Sequence, residues 1–331
     1  MTEQVPDVTF VIAAFKAEET IDRAIESALA QTGVMVEVVV IDDCSPDGTA
    51  EIVAANPDPR IRLLRLGRNR GPGGARNAGL AVARGSWIAI LDADDAVRPE
   101  RAARMIEKAR QDNAQIVVDN LDVVSLDGSS ERMFAEAHLQ ATGELRLPDF
   151  IESNSLFRST HNYGYMKPIF ARRFLAWHGL VFDESLPIGE DYLLLASALA
   201  KGGRCAIEPS AGYIYHIRSG SISRVLKLHH VEAMMAADAT FLRTHPLDAD
   251  ARLAQARRQR SIEEARSFVI LVDQLKSGSF RGALQTAWSN PAAVGHLRMP
   301  IALRLRRLAA PLSQIRVFSA LQRLMARPPG Q

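Results

Sequence analysis

Two cysteines in 331 residues, Cys44 and Cys205, exclude a disulfide framework and a zinc site built on thiolates. No apolar run approaches the ~18 residues that a membrane-spanning helix needs, which excludes an integral helical membrane protein. Aromatic residues make up only 6% of the chain, and no recognition motif accompanies them, so nucleic acid is not an expected partner. Glu3 and Asp7 precede the first apolar stretch, which makes a poor signal peptide. Together these absences point to the cytoplasm. What is present is ordinary for a soluble globular protein. A content of 47% hydrophobic and 24% charged residues excludes wholesale disorder, and the length suits one large domain with an appendage or two modest domains.

One further absence is local. After Asp273 there is no Asp or Glu, while Lys276, Arg281, Arg298, Arg304, Arg306, Arg307, Arg316, Arg323 and Arg327 supply nine positive charges. Against a total of +2, the first 273 residues therefore carry a net −7. An acidic body with a basic tail suggests that the tail meets an anionic surface. Ile301, Leu305, Leu308, Leu312 and Ile315 recur there at helical spacing with Arg304 and Arg307 alongside. Such a helix can lie in a membrane interface, each basic residue contributing about 1 kcal/mol. It can equally pack on the protein with its arginines in water.

The first 125 residues alternate strand and helix patterns. Val8–Ala14, Val36–Ile41, Ile61–Leu66, Ser86–Leu91 and Ile116–Val124 read as strands, with Ala17–Gln31 and Pro99–Asn113 as helices. Ser45-Pro46-Asp47 reads as a further helix start. Such spacing predicts right-handed crossovers and a mostly parallel sheet flanked by helices. Residues 1–125 would form one half of an α/β domain and the more irregular 126–225 the other. Residues 226–331 read as a helical, basic C-terminal region. The spacing predicts a helix over Asp191–Ala200 and no strand over Tyr213–Ser223; Trp177 and Tyr165 read as core aromatics.

Open parallel sheets bind ligands beyond the carboxyl ends of their strands. Two of those ends here are clustered carboxylates, Asp42-Asp43 and Asp92-Ala93-Asp94-Asp95. Like charges that close repel unless a cation lies among them. In extended backbone Asp92 and Asp94 point the same way, and a pair of hard carboxylates suits Mg²⁺ or Mn²⁺ shared with substrate phosphates. A solvated turn with a helix cap is the plainer alternative. Asp43 can accept hydrogen bonds from a base or a ribose. The glycine-rich Gly71–Gly79 segment exposes amide donors, and Arg76 within it can pair with a phosphate. It is neither a P-loop nor a dinucleotide fingerprint.

The order Phe-Val-Ile-Ala-Ala-Phe-x-Ala-Glu (10–18), Val-Ile-Asp-Asp-x-Ser (40–45), Gly-Gly-Ala-Arg-Asn-Ala-Gly (73–79), Leu-Asp-Ala-Asp-Asp (91–95) and Gly-Glu-Asp-Tyr (189–192) is more specific than any of its parts. Over residues 8–225 it resembles the inverting family 2 glycosyltransferases of GT-A fold, and among them bacterial exopolysaccharide enzymes of the succinoglycan type. Where that family has Pro-x-Tyr-Asn after the first strand, this chain has Ala13-Ala14-Phe15-Lys16, which keeps a stacking face but loses a hydroxyl. The resemblance implies that Ala13, Phe15 and Glu18 line the base pocket, that Asp43 meets uracil and that Arg76 lies near the donor. Asp92 would meet the ribose or a metal-bound water and Asp94 would ligate Mn²⁺ or Mg²⁺. Glu190 would line the acceptor side and Asp191 would be the catalytic base. His216 is a candidate metal or phosphate contact, and Arg218 with Ser221 and Ser223 could grip phosphate oxygens. A lone histidine is as readily structural.

These residues imply a metal-dependent hexosyltransferase. It would move a sugar, glucose by the resemblance, from a UDP-sugar to a saccharide or lipid-linked oligosaccharide acceptor for a bacterial surface polysaccharide. Binding of the tail would place it peripherally on the inner face of the cytoplasmic membrane. Two readings compete. A sugar nucleotidylyltransferase wants a loop rich in Gly, Arg and Lys after the first strand, where Ala13–Glu19 offers one Lys and no Gly. A catalytically silent sugar-nucleotide-binding scaffold would not need all three acidic motifs.

Overall fold

The computed structural model describes residues 4–158, 162–218 and 226–297. The helical reading of Ile301–Ile315 and the serines Ser221 and Ser223 lie outside the described residues. In chain order the elements begin β1 (Val8–Ala14), α1 (Ile21–Leu29), β2 (Val36–Asp42), α2 (Thr49–Ala55), β3 (Ile61–Arg65), α3 (Gly71–Val82), β4 (Trp87–Ile90), β5 (Ala96–Val97), α4 (Arg101–Gln111) and β6 (Ile116–Val124). There follow β7 (Ser130–Arg132), α5 (Glu136–Thr142), α6 (Leu147–Ser153), a 3-10 turn at Tyr163–Tyr165, β8 (Ile169–Ala171), α7 (Arg172–His178), α8 (Glu190–Ala200) and β9 (Cys205–His216). Helices α9 (Leu228–Thr244), α10 (Ala249–Lys276), α11 (Phe280–Ser289) and α12 (Pro291–Gly295) complete the described chain. It divides into two compact units, Met1–Ile262 and Glu263–Gln331.

The first unit is built on one mixed, mostly parallel sheet ordered β3-β2-β1-β4-β8-β6-β9-β5, with β7 on β6. Strands β3, β2, β1 and β4 are mutually parallel, and β6 runs parallel to β9. The short β8 is antiparallel to both β4 and β6 and joins the two parallel groups. Strands covered on both faces need apolar side chains on both, which explains the runs Phe10–Ala14 of β1 and Val38–Ile41 of β2, while the buried Thr9 hydroxyl donates to Glu37 Oε2 at 2.6 Å. Helix α1 buries Ile21, Ala24, Ile25 and Ala28, the face set by its 3.6-residue period. Helix α3 lies unusually close to the sheet. A Cβ on Gly79 would sit 2.5 Å from Val11 Cγ1 and 2.7 Å from Ile41 Cδ1, so only glycine permits that approach.

The structure revises three local expectations. Helix α2 begins at Thr49 rather than at Ser45-Pro46-Asp47, because Cys44 takes a left-handed φ of 61° and the chain turns once more before Gly48. Tyr213–His216 is strand, the second half of β9, paired with β5 and β6. Trp177 and Tyr165 are exposed, not core.

A fully buried ion pair ties α4 to the sheet. Arg101 of α4 makes two 2.8 Å hydrogen bonds to the Asp119 carboxylate of β6, and a third of 2.6 Å to the Lys167 carbonyl. Its guanidinium also lies 5.3 Å from the Tyr213 ring centre. Arg101→Met would strand the Asp119 charge in the interior, and losing one partner of such a pair costs about 3–5 kcal/mol. Urea unfolding should show that loss as a lower midpoint with an unchanged slope.

Candidate active site

The acids meet because β1, β2 and β4 are parallel neighbours whose carboxyl ends share one edge of the sheet. Asp43 N–H still bonds the Ala14 carbonyl at 2.8 Å, and Leu91 N–H the Val11 carbonyl at 3.1 Å. Beyond Leu91 the chain leaves the sheet and turns, closing with an Asp95 N–H bond to the Asp92 carbonyl at 3.1 Å. Asp92 and Asp94 therefore do not project side by side from extended backbone. The turn sends them to different partners.

Asp92 enters a closed ring of charges. Arg76, on α3, donates to Asp92 Oδ1 at 2.7 Å and lies 3.0 Å from Asp191 Oδ1. Lys167 Nζ sits 2.8 Å from Asp92 Oδ2 and 2.8 Å from Asp191 Oδ2. Glu190 joins from outside the ring, accepting from Arg76 Nη1 at 2.6 Å. Glu190 and Asp191 arrive here because Gly189, at φ 89°, starts α8 in a left-handed conformation, and carboxylates are favoured in a helix's first turn. Behind α8, Arg258 stacks 3.7 Å from the Tyr192 ring and pairs with Asp238 at 2.9 Å, which steadies the helix.

Three carboxylates against two cations set the electrostatics. Burial alone would raise Asp92 and Asp191, but Lys167 and Arg76 outweigh it and hold both below the usual carboxylate range. Burial, reinforced by the neighbouring Asp191 charge, pushes Glu190 up. Arg76 and Lys167 are held in their charged forms, their partners outweighing the cost of burial. Of the two acids that open α8, Asp191 is the more accessible, its side chain 25% exposed against 9% for Glu190, and Asp92 across the ring is 23% exposed.

The rest of the turn is fixed by β9. Asp92 N–H donates to the Tyr213 hydroxyl at 3.2 Å, which in turn donates to Asp95 Oδ2 at 2.7 Å. His216 N–H donates to Asp95 Oδ1 at 2.8 Å. Asp95 is thus a structural acid, and burial with the charges of Asp92 and Asp94 pushes it well up. Asp94 is left facing outward. Its carboxylate has Arg218 at 4.0 Å, and burial plus the Asp92 charge raise its pKa. Burial and the charge of Arg23 lower the His216 pKa, and its buried Nδ1 makes no hydrogen bond, with Asp95 Oδ1 4.0 Å away.

The His216 imidazole, whose buried Nδ1 makes no hydrogen bond, and the outward-facing Asp94 carboxylate on the same turn are donors that fit a divalent cation. Among the described residues no three His, Cys, Asp or Glu side chains converge into a closed cage. That donor set suits a hard ion that takes most of its ligands from substrate and water.

On the other side of the edge, Asp43 is buried and its Oδ1 accepts from Arg70 N–H at 2.7 Å, burial keeping its pKa raised. Ala13 is half-buried near the end of β1 and Phe15 stands exposed beyond it, with Lys16 Nζ 5.4 Å from its ring centre. Glu18 is engaged locally, accepting from Gly48 N–H at 2.9 Å. Arg218 also reaches Glu19 at 3.5 Å.

Lys167 and Tyr213 carry no motif, and sequence reasoning passes over both. The available signal was a lone lysine in Met166-Lys167-Pro168-Ile169-Phe170, since an ammonium inside an apolar run needs a buried partner.

Residues 9–174 match the profile of Glycosyl transferase family 2. A succinoglycan biosynthesis protein, ExoO of Rhizobium meliloti, is 68% identical over 308 residues, spanning 93% of this chain and 88% of that protein. The chain belongs to glycosyl transferase family 2. ExoU of the same organism, also a succinoglycan biosynthesis protein, is 35% identical over 300 residues, spanning 89% of this chain and 86% of that protein. Solved structures of the same fold include Staphylococcus aureus TarS 1-349 in complex with UDP-GlcNAc. Its TM-score is 0.62 at 18% identity, covering 86% of this chain and 91% of that one. The mannosyltransferase PcManGT of Pyrobaculum calidifontis, in complex with GDP-Man and Mn²⁺, has a TM-score of 0.59 at 16% identity, covering 98% and 89%. The GT-A resemblance of the family 2 motifs thus extends to the fold.

Proposed function

We propose that this family 2 enzyme transfers a sugar, glucose, from a UDP-sugar to a saccharide acceptor carried on a lipid, with inversion, in bacterial exopolysaccharide synthesis. The observation that supports it best is the ring Arg76–Asp92–Lys167–Asp191, which ties Asp92 at the end of β4 to the more exposed of the two carboxylates that open α8. The 68% identity to a succinoglycan biosynthesis protein supports the pathway. UDP-GlcNAc in TarS supports the nucleotide.

One base suits a single in-line displacement. The acceptor hydroxyl attacks the anomeric carbon as its proton passes to Asp191, and the bond from that carbon to the diphosphate oxygen breaks. An α-linked donor then gives a β-linked product. Phe15 offers a face to the base, with Asp43 and Ala13 beside it, and Glu18 holds the loop at Gly48. Glu190 keeps Arg76 seated. Arg218, 4.0 Å from Asp94, would meet diphosphate oxygens. Asp94 and His216 are the residues that would hold Mn²⁺ or Mg²⁺, and the bound ion supplies Lewis-acid stabilisation of the leaving diphosphate.

UDP release from UDP-glucose, followed by NMR of the product's anomeric proton, tests this reading. A β-linked product is expected, and an α-linked one would remove the single-displacement mechanism. Asp94→Asn should raise the Mn²⁺ concentration for half-maximal UDP release by about tenfold or more, as loss of one charged ligand does. An unchanged metal titration would take Asp94 out of the ion site.

Among the described residues no helix is long and apolar enough to cross a membrane. The acid-free stretch after Asp273 supports peripheral contact with an anionic membrane face.

A further inference from the structure

Helix α11 displays three large apolar side chains to solvent. Phe280 is 73% exposed, Leu284 71% and Trp288 86%. Successive steps of four residues keep them within about 80° of arc on one face. The helix is already seated by its other side, through buried Ala283 and the Thr286 hydroxyl, which donates to Gln274 Oε1 at 2.9 Å. The outward stripe is therefore not the face that holds α11 in its own unit. A single exposed leucine means little, but an aligned Phe, Leu and Trp form a continuous apolar strip.

The charge around the strip selects its occupant. Arg281 lies at its margin, Lys276 precedes it, and no acid occurs from residue 274 to the end of the chain. A second copy would bring the same cations against themselves. Nucleic acid would satisfy the arginines but gives Leu284 and Phe280 no apolar phase. Residues 298–331 carry seven more arginines, which add to the positive charge that an anionic surface attracts. An anionic bilayer surface satisfies both features at once, with acyl chains for the strip, headgroups for the cations, and Trp at the level where its ring is favoured.

We propose that the Phe280–Leu284–Trp288 face of α11 inserts into the interface of an anionic lipid bilayer. It gives the peripheral contact suggested above a defined surface, and it rests on that contact but on no assumption about donor or acceptor.

Flotation of the full-length protein with phosphatidylglycerol vesicles tests it, compared with phosphatidylcholine vesicles and with Phe280→Ser/Leu284→Ser/Trp288→Ser. Acceptor-free vesicles keep the outcome separate from sugar transfer. At least tenfold more wild-type protein should float with the anionic vesicles than with neutral ones, and the triple variant should lose that flotation. All three side chains are exposed, so unchanged circular dichroism should accompany the loss. In a Trp87→Phe/Trp177→Phe background, Trp288 fluorescence should be quenched by brominated lipid. Equal flotation of wild type and triple variant, or none of either, overturns the proposal. A lipid-independent dimer abolished in the triple variant would assign the face to a second copy, and Trp288 already shielded from acrylamide without lipid would assign it to residues 298–331. Either result overturns the proposal as well.

Discussion

Asp191→Asn should lower kcat by about 10²–10⁴-fold while leaving UDP-sugar binding nearly unchanged, the range expected when a general base is removed. The substitution preserves shape, and Arg76 and Lys167 keep their bonds to Asp92, so the donor side of the ring stays assembled. What is lost is the carboxylate that takes the acceptor proton. Glu190→Gln is the informative comparison. Glu190 is more buried than Asp191, and the bond described for its side chain goes to Arg76. Its loss should cost about tenfold, the worth of one charge-assisted hydrogen bond. Steady-state UDP release and calorimetric donor binding on the two variants decide the matter. If Asp191→Asn turned over within tenfold of wild type, or Glu190→Gln fell further than Asp191→Asn, Asp191 would not be the base.

The N-terminal half of this fold is legible because its signals are local. Apolar runs such as Phe10–Ala14 and Val38–Ile41 mark strands covered on both faces, and the strand ends then locate Asp43, Asp92 and Asp94 without further information. Asp191 is legible only through the resemblance carried by Gly-Glu-Asp-Tyr, since local pattern alone reads it as a helix start. The missing parts depend on pairing across the chain. Strand β8 has three residues and no periodicity of its own; β4 and β6, forty or more residues away, make it a strand. Strand β9 escapes for a different reason. Pro209 and the register shifts opposite Asp119–Leu121 break the two-residue alternation that would have marked it. Tyr213 and His216 are brought to the turn at Asp95 by that irregular strand. Lys167 is positioned by its carbonyl's bond to Arg101, a contact between residues 66 apart in sequence.

Lys167→Met should move the acid limb of the pH–rate profile upward, and this separates an electrostatic role for the lysine from a merely structural one. In the wild type, burial is outweighed by Arg76 and Lys167, so Asp191 is ionised through the neutral range and activity should fall only in acid. Methionine keeps the length and apolar stem but removes the ammonium 2.8 Å from both Asp92 and Asp191. Burial and the Asp92 charge then act on Asp191 with only Arg76 opposing them, so its pKa rises. A base that must be ionised to act is then protonated at a higher pH. Activity near neutrality should fall by about a hundredfold, the cost of a misplaced catalytic group, with part of it returning as pH is raised. Lys167→Arg restores the charge and should bring the limb back toward the wild-type position even if its larger head slows turnover. A uniform loss at every pH in Lys167→Met, equal in Lys167→Arg, would reduce Lys167 to packing. A shifted limb in the first variant alone would place it as the cation that keeps Asp191 ionised between donor and acceptor.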